Sequence, residues 1–267
     1  MKKLFRSVAL LCLGVTSIFT SVQAMHMSDA LVKKTVFETL LQFFDGGRRA
    51  AAENRELFKS TCQKMGIDAH KIHFHLGKKF GSYARNVSLR KAVVLGLDDQ
   101  YISLREREFV IAHELAHLKN NDSKERAVFT VKVVAGALGL GAVLERLGSR
   151  GITRLGPVNG YAGLVLLSGV CYYALPLISL KILYPRLQKQ QEKRADLTAI
   201  VALRDKQGAL DCFSRNCEEN KKIRKNLISR GHVGYVCRHI DEQGNNLADK
   251  NHPLLTERLA YCKAASL

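Results

Sequence analysis

The spacing of apolar positions changes several times along the chain, and each change predicts a different element. Val8 to Phe19 is a short apolar stretch behind Lys2, Lys3 and Arg6, with small-residue ends at Val22 and Ala24. It reads as an export signal over 1–24, with an uncleaved membrane anchor as the competing reading. Leu31, Val36, Leu40, Leu41, Phe44 and Leu57 recur at helical spacing between Ser28 and Met65, and Gly46 with Gly47 divides the run into two helices. Ile72, Phe74 and Leu76 then alternate with His73 and His75, the period of a half-buried strand, and Ala92 to Leu95 is a second short strand.

Ser103 stands three residues before Glu106 and just ahead of an apolar-periodic run, so a capped helix is expected from Leu104 to Lys119. Val128 to Leu144 is apolar apart from Lys132, and Leu155 to Leu180 contains no charged residue. The second stretch is long enough to cross a bilayer. Gly136, Gly139 and Gly141 would let the two approach closely as a hairpin, and Pro176 is placed to kink the second. After Pro185 a charged helix is expected over Arg186 to Leu203, and the remainder from Asp211 is basic and helical, with loops at Gly231, Gly234 and Gly244. The fold class is thus α+β and mainly helical, with a small sheet. Two halves of one domain, 25–127 and 185–267, flank a hydrophobic transmembrane hairpin over 128–184.

Composition changes this picture little. A 267-residue chain has room for one sizeable core and its membrane segments, but not for several domains. The formal charge of +18 suits anionic lipid head groups better than nucleic acid, because no basic block is interleaved with aromatic residues. Seven cysteines make no dense framework. A Cys212 to Cys217 bridge is open if this part is exported, while Cys212, Cys217, Cys237 and His239 fit no common zinc module.

The chemistry centres on His113-Glu114-Leu115-Ala116-His117. Residues four apart share a helix face, so His113 and His117 can present ring nitrogens to one tetrahedral zinc ion while Glu114 serves as base toward an activated water. A catalytic zinc needs a third protein ligand and an open position. Glu192 in Glu192-Lys193-Arg194-Ala195-Asp196 is the expected ligand, and Asp196, on the same face, can accept the other N–H of a ligand histidine. The bland alternative is a solvated charged helix whose acids face Lys193 and Arg194. His70, His73 and His75 read as solvated histidines on the polar side of a strand, and Lys221 to Lys225 as a solvated or lipid-facing surface.

Taken together, these residues resemble the zinc metalloprotease family that contains HtpX and the CaaX prenyl endopeptidases. The likeness is carried by HELAHLKNND, by EKRAD, by the hydrophobic hairpin between them and by His252-Pro253-Leu254-Leu255-Thr256-Glu257-Arg258, and it spans about Lys71 to Tyr261. The resemblance implies a zincin-like domain with one Zn2+ per chain. It implies that Glu192 is the third ligand, that Asp196 supports His113, and that His252 and Arg258 steady the tetrahedral oxyanion or cover the zinc at rest. It implies polypeptide substrates, paired in extended form along an edge strand within Gly81 to Leu97.

The function expected is therefore a zinc metalloendopeptidase acting on misfolded or membrane proteins. A non-catalytic zinc-fold protein with a chaperone-like or binding role is the alternative, which the retained non-ligand Glu114 argues against. Arg146, Arg150 and Arg154 mark the loop between the apolar runs as cytoplasmic, which would put the catalytic domain on the periplasmic side of a bacterial inner membrane. A cytoplasm-facing catalytic domain is the alternative placement, since HtpX itself has two spans before its catalytic helix.

Overall fold

A computed structural model describes residues 48–49, 52–76, 82–87, 90–96, 102–152, 163 and 166–267. The chain divides into two compact units, 1–48 and 49–267, and the fold that positions the site lies in the second. The export signal, the helix expected between Ser28 and Phe44, and the start of the second apolar run lie outside the described residues. So does Arg154. A two-residue strand, β1 (Arg48–Arg49), stands at the boundary of the units.

Helix α1 (Ala52–Lys64) leads into β2 (Ile72–Leu76), β3 (Tyr83–Val87) and β4 (Arg90–Leu95). Strand β4 pairs in parallel with β2 and antiparallel with β3, which puts β3 at an edge of the sheet. Ala92, Val93, Val94 and Leu95 are all buried, so β4 is the central, fully covered strand that its unbroken apolar run implies. His73 and His75 are half-buried, and their rings stack with centroids 6.4 Å apart.

Helix α2 (Leu104–Lys119) begins at the expected cap. The Glu106 backbone N–H donates to the Ser103 hydroxyl, and the Glu106 carboxylate accepts from the Ser103 backbone N–H at 3.1 Å. That reciprocal pair satisfies donors that a helix start leaves orphaned. Glu106 also accepts from Arg215 at 2.9 Å, fastening the helix that carries Arg215 to the start of α2. Phe109, Ile111, Ala112, Leu115, Ala116 and Leu118 are buried, as are the polar His113 and Glu114. A helix covered on nearly every side is what makes this one the axis of the domain.

The chain then runs into α3 (Asp122–Ile152) and returns through a π-helical turn (Val170–Ala174) into α4 (Leu175–Leu203). These two helices are long and apolar enough to cross a membrane, yet only 11% and 12% of their most apolar windows are buried. Val131, Leu140, Val143, Leu147, Leu177 and Ile182 are each more than half exposed. A soluble protein rarely exposes so continuous an apolar surface, and the core helix of a globular domain would bury it. Of the three hairpin glycines, Gly141 makes the close approach: a Cβ there would lie 2.8 Å from the Cys171 carbonyl oxygen, whereas Gly136 and Gly139 face open space. Glu145 adds polar closure, accepting from the hydroxyls of Ser168 at 2.9 Å and Tyr172 at 2.6 Å.

Pro185 does not begin a new helix. It lies inside α4, which continues unbroken to Leu203, and Pro176 sits in that helix's first turn. An internal proline removes one backbone bond and crowds the preceding turn, a cost of about 3 kcal/mol, and it is offset here by packing of α4 along both α3 and α2. Helices α5 (Gln207–Ser229), α6 (Val233–His239) and α7 (Leu255–Ala264) complete the domain. The chain turns at Gly244, whose positive φ of 86° and close approach to the Cys217 carbonyl exclude a side chain.

Candidate metal centre

Helices α2 and α4 cross so that one turn of each faces the other, and three side chains converge there. His113 and His117 present Nε2 atoms 3.1 Å apart. Glu192 Oε2 is 3.3 Å from His113 Nε2, and Glu192 Oε1 is 3.3 Å from His117 Nε2. Among the described residues this is the one group of histidines, cysteines and carboxylates close enough to hold a metal ion. Ligand atoms on a tetrahedral ion with bonds of about 2.0–2.1 Å stand about 3.3 Å from one another, so the three donors fit a small four-coordinate ion.

The far side of each ring is also occupied. His113 Nδ1 lies 2.8 Å from Asp196 Oδ1, close but off the line of an ideal hydrogen bond. Asp196 is fully buried; it accepts from Arg258 at 2.9 Å and 2.6 Å, and from the Tyr261 hydroxyl. His117 Nδ1 is 2.6 Å from Asp122 Oδ2. Asp122, also fully buried, is clamped in turn by Arg194, which bridges to Glu125, while Gln191 donates to the Asp122 carbonyl at 3.3 Å. Carboxylates behind both imidazoles fix ring orientation and raise ligand basicity.

Burial disfavours the charged form of His113, but the carboxylates of Asp196 and Glu192 outweigh it and push the pKa up to about 10. Burial acts the same way on His117, and Asp122 and Glu192 raise it in turn, with help from the charge of Glu114. In the metal-free protein at neutral pH a proton therefore sits where a cation would bind. Metal binding at pH 7 is expected to release at least about one proton, and apparent affinity should fall about tenfold for each unit of pH lost below 10. Calorimetry in buffers of different ionisation heat reads this directly; binding without proton release would show that the ring is already neutral.

Glu114, one residue along from His113, is buried at 7% exposure beside this group. His252, on the approach to α7, is half exposed; Asp249 holds its Nδ1 at 2.7 Å and its Nε2 comes within 3.5 Å of Glu192 Oε1. A polar cleft of about 290 Å³ opens alongside, walled by Asn216, Glu219, Asn220, Asp249, His252 and Arg258. Arg258 itself is inward-facing. Its guanidinium is committed to Asp196 by two bonds and lies over the Phe213 ring at 4.2 Å, with Nη2 3.8 Å from Glu192 Oε2.

Asp122, Tyr261 and Arg194 were not singled out by sequence. Asp122 falls inside HELAHLKNND, five residues after His117, and Tyr261 lies one turn beyond Arg258, so both were within reach of a search for carboxylates and hydroxyls one turn past each motif. None of the described cysteines belongs to this group. Cys212 and Cys217 form no disulfide, and burial pushes the Cys62 and Cys262 thiols up to about 12, far from nucleophilic.

An HExxH helix crossed by a glutamate-bearing helix, with carboxylate-backed imidazoles and a small sheet alongside, defines a metallopeptidase. The chain belongs to peptidase family M48, whose sequence model matches residues 55–265. No curated relative matches it.

Proposed function

We propose that the protein is a zinc-dependent endopeptidase, held in a membrane by the α3–α4 hairpin, that hydrolyses misfolded or membrane polypeptides in quality control. The observation that carries the reading is the convergence of His113 and His117 Nε2, 3.1 Å apart, on the Glu192 carboxylate, whose Oε2 lies 3.3 Å from the first ring nitrogen and whose Oε1 lies 3.3 Å from the second. Two imidazole nitrogens and one carboxylate group at that spacing suit zinc, and a set of three protein ligands leaves a position open. A zinc ion held there would supply Lewis acidity, polarising the scissile carbonyl and bringing the pKa of water to about 7.

The chain's own groups do the rest. Glu114 takes the proton from the attacking water and passes it to the leaving amine. His252, with Nδ1 anchored on Asp249, donates from Nε2 to the developing oxyanion. Arg258 acts at one remove, holding Asp196 behind His113. Strand β3, at the edge of the sheet among the described residues and next to α2, accepts an extended substrate as an added strand through main-chain hydrogen bonds. The signal-like start and the arginines at Arg146 and Arg150 support a metal centre on the periplasmic side of a bacterial inner membrane.

The test is zinc content and casein cleavage by the detergent-purified full chain, beside Glu192→Ala. Wild type should carry one zinc and cut casein, chelation should abolish cutting and zinc restore it, and Glu192→Ala should lose or weaken metal binding. Wild-type protein without stoichiometric zinc would end the zinc reading. Stoichiometric zinc without any cleavage would favour a binding or chaperone-like role.

A further inference from the structure

Where the apolar hairpin meets the metal domain, the structure holds a cavity of about 510 Å³. Its walls are Lys124, Val128, Phe129 and Lys132 of α3 and Leu187 and Arg194 of α4. Lys124, Val128 and Lys132 are spaced four apart and so form one stripe of the helix, cation, apolar, cation. Lys132 is the only charged residue in the stretch from Val128 to Leu144. Neither lysine makes an ion pair among the described residues. Glu125 also faces the cavity, but its carboxylate is taken up by Arg194 and by Gln191 at 3.1 Å.

A lysine in an apolar helix can simply stretch its ammonium toward water. That accounts for Lys132 alone. It does not account for a second unneutralised cation on the same stripe, nor for an apolar wall between them that continues into the exposed face at Val128 and Val131. A ligand that satisfies all of these carries an anion at one end and hydrocarbon at the other. Free phosphate shares the anion but leaves Val128, Phe129 and Leu187 uncovered. A zwitterionic head group would bring its own cation against Lys124 and Arg194.

We infer that this cavity binds an anionic phospholipid, with the phosphate between Lys124 and Lys132 and the acyl chains along Val128, Phe129 and Leu187. The inference rests on the membrane reading of the hairpin and adds to it a particular lipid in a particular place. Each lysine at an anionic lipid surface is worth about a fivefold preference, so the pair sets a measurable selectivity.

The full chain is reconstituted in nanodiscs of equal parts phosphatidylcholine and phosphatidylglycerol, and the lipid retained on release into detergent is counted by native mass spectrometry. Wild type should retain phosphatidylglycerol in preference, and Lys124→Gln with Lys132→Gln should lose that preference, about fivefold per lysine. Arg186→Gln with Lys189→Gln removes the same charge from α4 away from the cavity walls and should leave retention unchanged.

Equal loss in both pairs would overturn the site, because it describes a diffuse basic collar. Displacement of the lipid by millimolar inorganic phosphate would overturn the lipid assignment in favour of the free anion. A chain that enters nanodiscs but holds both lipids equally overturns this inference alone, while failure to enter them overturns the membrane reading beneath it.

Discussion

Glu114→Gln is expected to keep its metal and lose peptide cleavage by roughly 10²–10⁴-fold or more, the usual worth of a general base. The side chain is buried and next in sequence to His113, so glutamine fits the same space without disturbing either imidazole. What it cannot do is accept and return a proton. Zinc content by mass spectrometry and casein turnover on one preparation separate the two functions. Turnover within tenfold of wild type would remove Glu114 from the chemistry and send the search for a base to His252.

Asp196→Ala should have the largest effect on stability, about 3–5 kcal/mol, because it leaves the Arg258 guanidinium buried without its carboxylate. Arg258, Tyr261 and His113 all meet on this one residue. Metal affinity should also fall by about 10–100-fold, as His113 loses the acceptor behind its ring. A second variant distinguishes these effects. Asp196→Leu with Arg258→Met removes both charges and should recover much of the stability, yet metal affinity should stay low. Denaturation in detergent and zinc competition measure the two quantities; recovery of both together would mean that Asp196 serves packing alone.

Local rules made α2 legible in the sequence, and its bounds match because a capping box and an apolar periodicity both act within a few residues. The pairing of His113 and His117 followed from helical spacing for the same reason. Strand β3 escaped residue-level reading because Tyr83–Val87 has no unbroken apolar run; its place is set by pairing with β4. The continuity of α4 through Pro185 was hidden as well. A proline breaks helices by default, and only tertiary contacts along both sides override it. Asp122 lay in plain view but could not be assigned, since its partner is fixed by the sharp turn at Asn121, where φ is 55°. Arg258 shows the opposite limit. Its motif was visible, yet whether a guanidinium faces substrate or a buried carboxylate depends on the crossing of α4 and α7.

The unbroken course of α4 also makes it a measuring rod. Leu183, near the end of its apolar stretch, and Glu192 belong to the same rigid helix. Nine residues at 1.5 Å each separate them by about 14 Å along the axis. In the membrane setting proposed above, a hinge at Pro185 would let the metal centre ride up and down relative to the lipid, whereas a continuous helix would hold it at one altitude. An extended chain covers that height in about four residues. Membrane-anchored substrates would then be trimmed at a set distance from where they leave the bilayer, whatever their sequence, and stubs shorter than that reach would survive.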